Sequence, residues 1–188
     1  MKVIKKKSLL QSFILSKLCT GSAISYIDHS NFNFLIGYRQ SLFSLINPFS
    51  FQYSLKTSFL FLQSFIKNNY DFIFIVNIKD SILFKKFYQL CKKKKYSVLK
   101  DSETSSGFLT NKKISKTVII TLFLDHRKTE LIQKESLLLK VPLISFNDLS
   151  SNKFSSSVSV SGTYNSFLSQ NLILTLLSVC IEQKNESS

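Results

Sequence analysis

The clearest pattern of apolar and polar positions lies in residues 116–148. Residues 118–124 are almost entirely apolar, without the alternation of a half-exposed strand, which predicts a strand buried on both faces. From Thr129 the apolar residues recur at helical spacing until Pro142, which ends the predicted helix. A second short apolar run, residues 143–146, predicts another strand. A strand, a helix and a strand in this order indicate a βαβ unit, and hence a parallel sheet covered by helices.

The same patterns predict the remaining elements. Asn47 followed by Pro48 is a typical helix start, since asparagine caps the helix and proline suits its first position. Asp80 caps a further helix. The other expectations are an N-terminal helix at 8–18, an irregular segment at 22–33, short strands at 34–36 and 42–46 around a turn at 37–40, a helix end near 67, strands at 71–76 and 97–99, a polar loop at 100–116, an extended segment at 150–161, and a last helix from 165 or 166 to about 181. We therefore predict one α/β domain over residues 1–188, with a basic helical extension at 1–21 and a polar tail at 182–188.

The charge of the chain points to a polyanionic partner. The formal net charge is +14, and the isoelectric point is near 9.7. Nucleic acid is the leading partner and an anionic membrane surface the second, the latter through the basic residues 1–7. No apolar run reaches the length of a membrane span. We therefore expect no insertion into a membrane.

The amino-acid usage indicates an origin. Alanine, arginine, proline and glycine are scarce, whereas phenylalanine, lysine, asparagine, isoleucine and serine are abundant. The scarce residues have GC-rich codons and most of the abundant ones AT-rich codons, which favours an AT-rich genome such as an organelle's. The three cysteines, Cys19, Cys91 and Cys180, are far apart and form neither a metal-ligand spacing nor a disulfide framework. A reducing compartment is the expectation.

Lysines occur in three clusters. They are Lys5, Lys6 and Lys7; Lys92, Lys93, Lys94 and Lys95; and Lys112, Lys113 and Lys116. Each cluster alone could be a solvated face, and cations at 92–95 also suit the C-terminus of the preceding helix. Together, in a chain with eleven acidic residues, they indicate phosphate contacts.

Catalytic patterns are sparse. His126 follows Asp125 at the end of a predicted strand, where α/β folds place ligands, but no nucleophile pattern accompanies it. We expect an exposed loop histidine there, and a solvated histidine at His29. Neither of the glycine-rich phosphate-binding patterns is present. We therefore expect no catalytic centre, no metal and no cofactor.

Five segments, taken in order, resemble the small-subunit ribosomal protein 2 family. Residues 34–47 are similar to the family's YIxGxRxGxxIIDL segment, with Gly37 and Arg39 on its glycine and arginine. Residues 73–79 resemble ILFVGTK, residues 106–111 resemble GGMLTN, residues 121–148 resemble the block that begins ALFVxDxRKE, and residues 160–166 resemble the IPGNDDA turn. The match covers nearly the whole chain.

Several positions depart from the family. Residues 19–22 retain only the glycine of the family's HFGH, Glu103 and Thr104 stand where RW is usual, and Tyr164 and Asn165 replace an acidic pair. Bacterial members carry a long helical hairpin after the LTN segment, whereas Asn111 is followed within a few residues by the next predicted strand. These departures put individual RNA contacts in doubt and are consistent with a reduced organellar member.

The resemblance implies a three-layer, flavodoxin-like fold without the hairpin, and a structural role in translation as part of the mitochondrial small ribosomal subunit, with a plastid second. The implied partners are small-subunit rRNA and neighbouring ribosomal proteins, without self-association or catalysis. The candidate rRNA-binding residues are Lys5, Lys6, Lys7, Arg39, Lys92, Lys93, Lys94, Lys95, Thr110, Asn111, Lys112, Lys113, Lys116 and Arg127, with structural turns at Gly37, Gly107 and Gly162. The short connection 112–117 should lie flat along the domain with its lysines towards phosphate. The alternative is a doubly wound nucleotide-dependent transferase.

Overall fold

The elements alternate between helix and strand along most of the chain. A computed structural model describes residues 6–39, 43–111, 116–152 and 156–182. In chain order the elements are α1 (Lys6–Leu15), β1 (Thr20–Ala23), β2 (Leu35–Arg39), β3 (Phe43–Ile46), α2 (Pro48–Lys67), β4 (Asp71–Val76), α3 (Ser81–Lys93), β5 (Ser97–Lys100), β6 (Thr117–Leu122), α4 (His126–Leu139), β7 (Leu143–Asn147), β8 (Val158–Ser161) and α5 (Phe167–Glu182). Short 3-10 turns lie at Ile24–Tyr26, His29–Phe34 and Asp101–Glu103.

The central sheet has five parallel strands in the order β5-β4-β6-β7-β8. β4 pairs along its whole length with β6, from Asp71 opposite Thr117 to Val76 opposite Leu122. Counted along the chain within this sheet, the order is 2-1-3-4-5, which is the flavodoxin-like order. The predicted α/β fold with a parallel sheet and helices on both faces is confirmed.

The two faces of this sheet are covered differently. α2, α3 and α5 cover one face, where Phe74 and Phe146 are fully buried in a large apolar cluster. α4 covers the other face together with Leu109, from the loop that follows β5. A buried loop residue thus takes the place that a helix would occupy between β5 and β6.

The structure corrects the start of the α4 helix. The apolar pattern placed it at Thr129, with His126 in a loop, but α4 begins at His126. Asp125 occupies the N-cap position with extended backbone angles. The polar residues of the first turn face solvent, so they show no apolar periodicity in the sequence. The preceding strand also ends early, at Leu122 instead of residue 124, because Phe123 has a left-handed backbone (φ 62°) that cannot continue a strand.

The structure also corrects the N-terminal region. α1 ends at Leu15 instead of continuing to residue 18, and Thr20–Ala23, whose last two residues were expected to be irregular, forms β1. β1 and β2 flank β3 in a separate antiparallel sheet of three strands. Gly37 was placed in a turn, but it lies within β2 and pairs with Leu45 beside a register shift. Pairing with β3 holds the backbone extended at Gly37, so this residue is not part of a turn.

The helix-start predictions are confirmed. The Asn47 side chain accepts a hydrogen bond from the Phe49 N–H at 3.0 Å, and the Asp80 carboxylate accepts from the Ile82 and Leu83 N–H groups. The prediction for the connection 112–117 falls largely on residues 112–115, outside the described residues.

Candidate nucleic-acid interface

The parallel sheet brings every helix-to-strand connection to the same edge, at the N-terminal ends of its strands. In the described part of the chain this edge carries seven lysines, which we call the basic edge: Lys67, Lys92, Lys93, Lys94, Lys95, Lys116 and Lys140. Lys94 is half-buried and the other six are exposed. The connections enter β4, β5, β6 and β7, so the lysines spread over three strand spacings, roughly 14 Å.

Three lysines of the basic edge hold a backbone conformation that normally favours glycine: Lys116 (φ 53°), just before β6, and two lysines that follow helices. Lys95 (φ 60°) and Lys140 (φ 54°) are left-handed residues just beyond the ends of α3 and α4. In each case the next N–H reaches back to a helix carbonyl five residues earlier, Tyr96 to Cys91 and Val141 to Ser136, both at 3.0 Å. This is the Schellman motif, in which glycine is usual at the left-handed position. A lysine there carries a charge at a cost in backbone strain.

The opposite edge of the sheet is acidic by comparison. The segments after β4, β5, β6 and β7 carry Asp80, Asp101, Glu103, Asp125 and Asp148, five of the eleven acidic residues of the chain. Two ion pairs, Lys128 with Asp101 at 3.5 Å and His126 with Glu130 at 3.7 Å, lie on this side. The described acids at the basic edge are Asp71, which begins β4, and Glu182, which ends α5. Because Lys79, Arg127 and Lys128 also lie on the opposite side, that side is close to neutral, and the net positive charge is concentrated at the basic edge.

Some sequence-predicted contact residues meet at the basic edge and others do not. Residues 92–95 and Lys116 come together there, whereas Arg127 lies in the first turn of α4, at the opposite edge. Lys6 and Lys7 lie in α1 and Arg39 ends β2, outside the connections that form the basic edge. Lys5, Lys112 and Lys113 fall outside the described residues. Arg127 is therefore the candidate that the fold separates most clearly from the main group.

Sequence reasoning missed Lys67 and Lys140. Neither belongs to a lysine run, so no cluster marked them. Their position relative to the predicted elements could have identified them, since each lies at the end of a helix that leads into a strand of the parallel sheet. Basic residues at such ends also interact favourably with the helix dipole.

The segment with Gly107, Thr110 and Asn111 is held against α4. The Glu135 carboxylate accepts hydrogen bonds from the Gly107 N–H at 2.6 Å and from the Leu109 N–H at 2.9 Å. Gly107 has a left-handed backbone (φ 82°) that a side chain would strain. Thr110 and Asn111 remain exposed at the end of this segment. The carboxylate thus fixes a loop that could otherwise separate from the sheet.

A small cavity lies at the acidic edge, where flavodoxin-like folds place ligands. It has a volume of about 30 Å³, and its lining includes Lys79, Asp125, Asp148 and Tyr164. Burial raises the pKa of Asp148, an effect that the nearby Asp125 charge adds to and Lys79 opposes. Phe123, with its strained backbone, places its ring 5.1 Å from that of Tyr164. The volume is enough for one or two water molecules.

Gly162 follows β8 in the connection to α5, close to this cavity. A Cβ atom at Gly162 would lie 2.9 Å from the Phe51 ring and 3.1 Å from the Tyr164 ring. The connection can therefore pack against α2 only with glycine at this position.

The reactive side chains of the described residues do not form a recognisable catalytic group. His126 and Glu130 are about half-exposed, and burial raises the pKa of the cysteine thiols, to about 11 for Cys19 and Cys180 and about 12 for Cys91. Within the described residues, no group of three or more His, Cys, Asp or Glu is arranged to hold a metal ion. Among the same residues, no helix has both the length and the apolar character needed to cross a bilayer.

No protein-family model matches this chain, and no curated protein shows a significant match. The basic edge is therefore the feature from which a function can be argued.

Proposed function

We propose that this protein is a structural component of a small ribosomal subunit, a reduced member of the ribosomal protein 2 family, and that it binds rRNA through the basic edge. The observation that carries the proposal is the gathering of seven lysines on one edge of the sheet, from four separate connections. Lysines at such spacing neutralise phosphates and release counterions, which provides affinity without reading sequence. The role is architectural, since the sheet holds the connections in register against the RNA.

The Glu135 contact supports the family assignment. The residues that resemble the GGMLTN segment and those that resemble the ALFVxDxRKE block are distant in sequence, yet Glu135 of the second binds Gly107 and Leu109 of the first. A functional pairing of these two segments explains why both resemblances occur in one chain. The AT-rich amino-acid usage favours an organellar ribosome, and the departures from the bacterial pattern favour a mitochondrial ribosome over a plastid one. Neighbouring ribosomal proteins are the remaining partners in this proposal, and it needs no cofactor.

The proposal is tested by sedimentation of a tagged chain. In a sucrose gradient of lysed mitochondria, the protein should migrate with the small subunit and should leave that fraction when the RNA is digested. Migration only at the top of the gradient, with intact ribosomes elsewhere, would contradict the ribosomal assignment.

A binding assay tests the basic edge separately. Replacing Lys92, Lys93 and Lys95 by alanine should weaken binding to purified small-subunit rRNA and reduce the slope of log K against log salt by up to about 0.9 per lost contact. The matched control replaces Lys56, Lys85 and Lys134, three exposed lysines away from this edge, and should change the slope less. Equal effects of both triple variants would show that the charge acts without a defined surface.

A second candidate, a nucleotide-dependent transferase, is favoured by one observation. The strained Phe123 lies beside the cavity that contains Asp125 and Asp148, at the edge where such folds bind ligands. Calorimetric titration with Mg-ATP tests this candidate. Saturable binding that the Asp125→Asn variant abolishes would favour the transferase over the ribosomal role.

A further inference from the structure

The outer surface of α5 differs in composition from the rest of the protein. α5 has sixteen residues and contains neither lysine nor arginine, although the chain has 25 such residues. Its solvent-facing side includes Leu168 and Val179, which are 57% and 49% exposed. Asn171, Thr175 and Ser178 lie on the same outer side, which is therefore partly apolar and, before Glu182, uncharged. This face of the domain is therefore suited to contact with protein and not with RNA.

A groove runs between α5 and α3 on the same surface. Its volume is about 170 Å³, and its floor includes Leu83, Phe87 and Leu174, all buried. Its rims include Lys86 of α3 and Ser178 of α5. Apolar cavities of about 150 Å³ bind benzene, so the groove has the size for one phenylalanine or leucine side chain.

The charges around the groove are of one sign. α3 contains no acidic residue, and Lys86 and Lys93 are exposed seven residues apart, so they lie on one side of the helix. The single charged residue of α5 is Glu182, at its last position. The groove thus has an apolar floor and a row of positive charge along its α3 side only.

We propose that the α3–α5 groove binds an acidic amphipathic helix of another protein, which inserts one phenylalanine or leucine side chain between the helices and places its carboxylates against Lys86 and Lys93. A second copy of this chain fits poorly, because its net charge of +14 would repel the lysines of α3. RNA fits poorly as well, because the floor is apolar and α5 offers no cation. The inference does not depend on the proposed rRNA contact: the lysine that lines the groove is Lys86, and Lys93 is shared with the basic edge.

The test is a selection from a displayed library of helical peptides against the full-length protein. Ser178→Trp should fill the groove from its rim and is used for comparison only after the selection. The enriched peptides should carry an aromatic or leucine residue flanked at helical spacing by aspartate or glutamate. They should bind the unmodified protein at least about tenfold more tightly than the Ser178→Trp or Lys86→Glu variants, as expected when an anchor or its charge partner is lost. The Lys134→Glu variant, on the opposite face, is the charge-matched control and should bind as the unmodified protein does.

Thermal melts establish that each variant is folded before binding is compared. Peptides that bind the Ser178→Trp variant equally well, or that are predominantly basic, would overturn the proposal. It would also be overturned if the protein alone dimerised in sedimentation-velocity runs and Ser178→Trp abolished the dimer, since a second copy would then be the occupant. Unchanged rRNA binding by Ser178→Trp is expected in every case, so failure here leaves the proposed function untouched.

Discussion

Replacing Lys95 and Lys140, the two left-handed lysines that follow helices at the basic edge, by glycine should move stability and RNA binding in opposite directions. The double variant Lys95→Gly, Lys140→Gly keeps both Schellman motifs and removes the strain of a side chain at positive φ. It also removes two exposed charges from the basic edge. We expect a more stable protein that binds RNA more weakly.

The magnitude follows from the backbone. A left-handed conformation costs an ordinary residue about 1–2 kcal/mol. Glycine recovers this but loses about 0.5–1 kcal/mol more than other residues through its greater freedom in the unfolded chain. Taken at the midpoints of these two ranges, the net gain is about 0.75 kcal/mol at each position. The two positions enter β5 and β7, roughly 14 Å apart, so their effects should add to about 1–2 kcal/mol. For a chain of this size the melting temperature should rise by roughly 2–8 °C.

Two measurements check this prediction. Calorimetry or circular dichroism gives the melting temperature, and titration of small-subunit rRNA at several salt concentrations gives the slope, which should fall by about 0.9 for each lost phosphate contact. Lys17 is the matched control. It ends α1 in the same motif (φ 59°), with the Leu18 N–H bonded to the Phe13 carbonyl at 3.1 Å, but it is remote from the basic edge. Lys17→Gly should therefore stabilise the protein and leave RNA binding unchanged.

The alanine variants separate charge from strain. Lys95→Ala, Lys140→Ala loses the same charges but keeps a side chain at positive φ, so its RNA binding should fall as in the glycine variant without the gain in melting temperature. If the glycine variant melted lower than the unmodified protein, the strain argument would be wrong. If its salt slope were unchanged, these two lysines would be helix-terminal residues without an RNA contact.

Three further predictions concern the loop, the acidic edge and the N-terminal region. Glu135→Gln should lower the free energy of unfolding by about 1–3 kcal/mol, because an amide can no longer accept hydrogen bonds from both the Gly107 and the Leu109 N–H groups. Hydrogen exchange at Gly107 and Leu109 should accelerate, and unchanged exchange would show that Glu135 does not hold this loop. Asp148→Asn should raise the melting temperature at pH 7, because burial raises the pKa of Asp148 in the folded state and the unmodified protein loses stability as pH rises towards that pKa. The difference in melting temperature between the two proteins should vanish below the unfolded pKa of about 3.9. Asn31→Ala should cost about 3 kcal/mol in urea unfolding, since the buried amide donates to the Leu149 and Ser151 carbonyls and accepts from Ser161, and a loss under about 1 kcal/mol would show that water replaces these bonds.

The sequence predicted most of the fold because its signals are local. The Asn47-Pro48 cap, the Asp80 cap and the apolar run of β4 each act within a few residues of chain, and the elements formed where these signals lie. β1 escaped prediction because Thr20–Ala23 has no apolar pattern, and pairing with β3 alone makes it a strand. The early start of α4 escaped because its first turn faces solvent and carries no periodicity.

The candidate site was predictable only in part, for the same reason. The run at residues 92–95 was visible as a cluster, but Lys67 and Lys140 are isolated in sequence and join it only when four strands pair in parallel. The strand order also decides that Arg127 lies at the opposite edge, and the packing of α3 against α5 creates a groove that neither helix contains alone. Local caps and periodicities are encoded within one turn or one strand, whereas the position of a charge relative to other charges depends on contacts between residues far apart in the chain, which only the folded domain brings together.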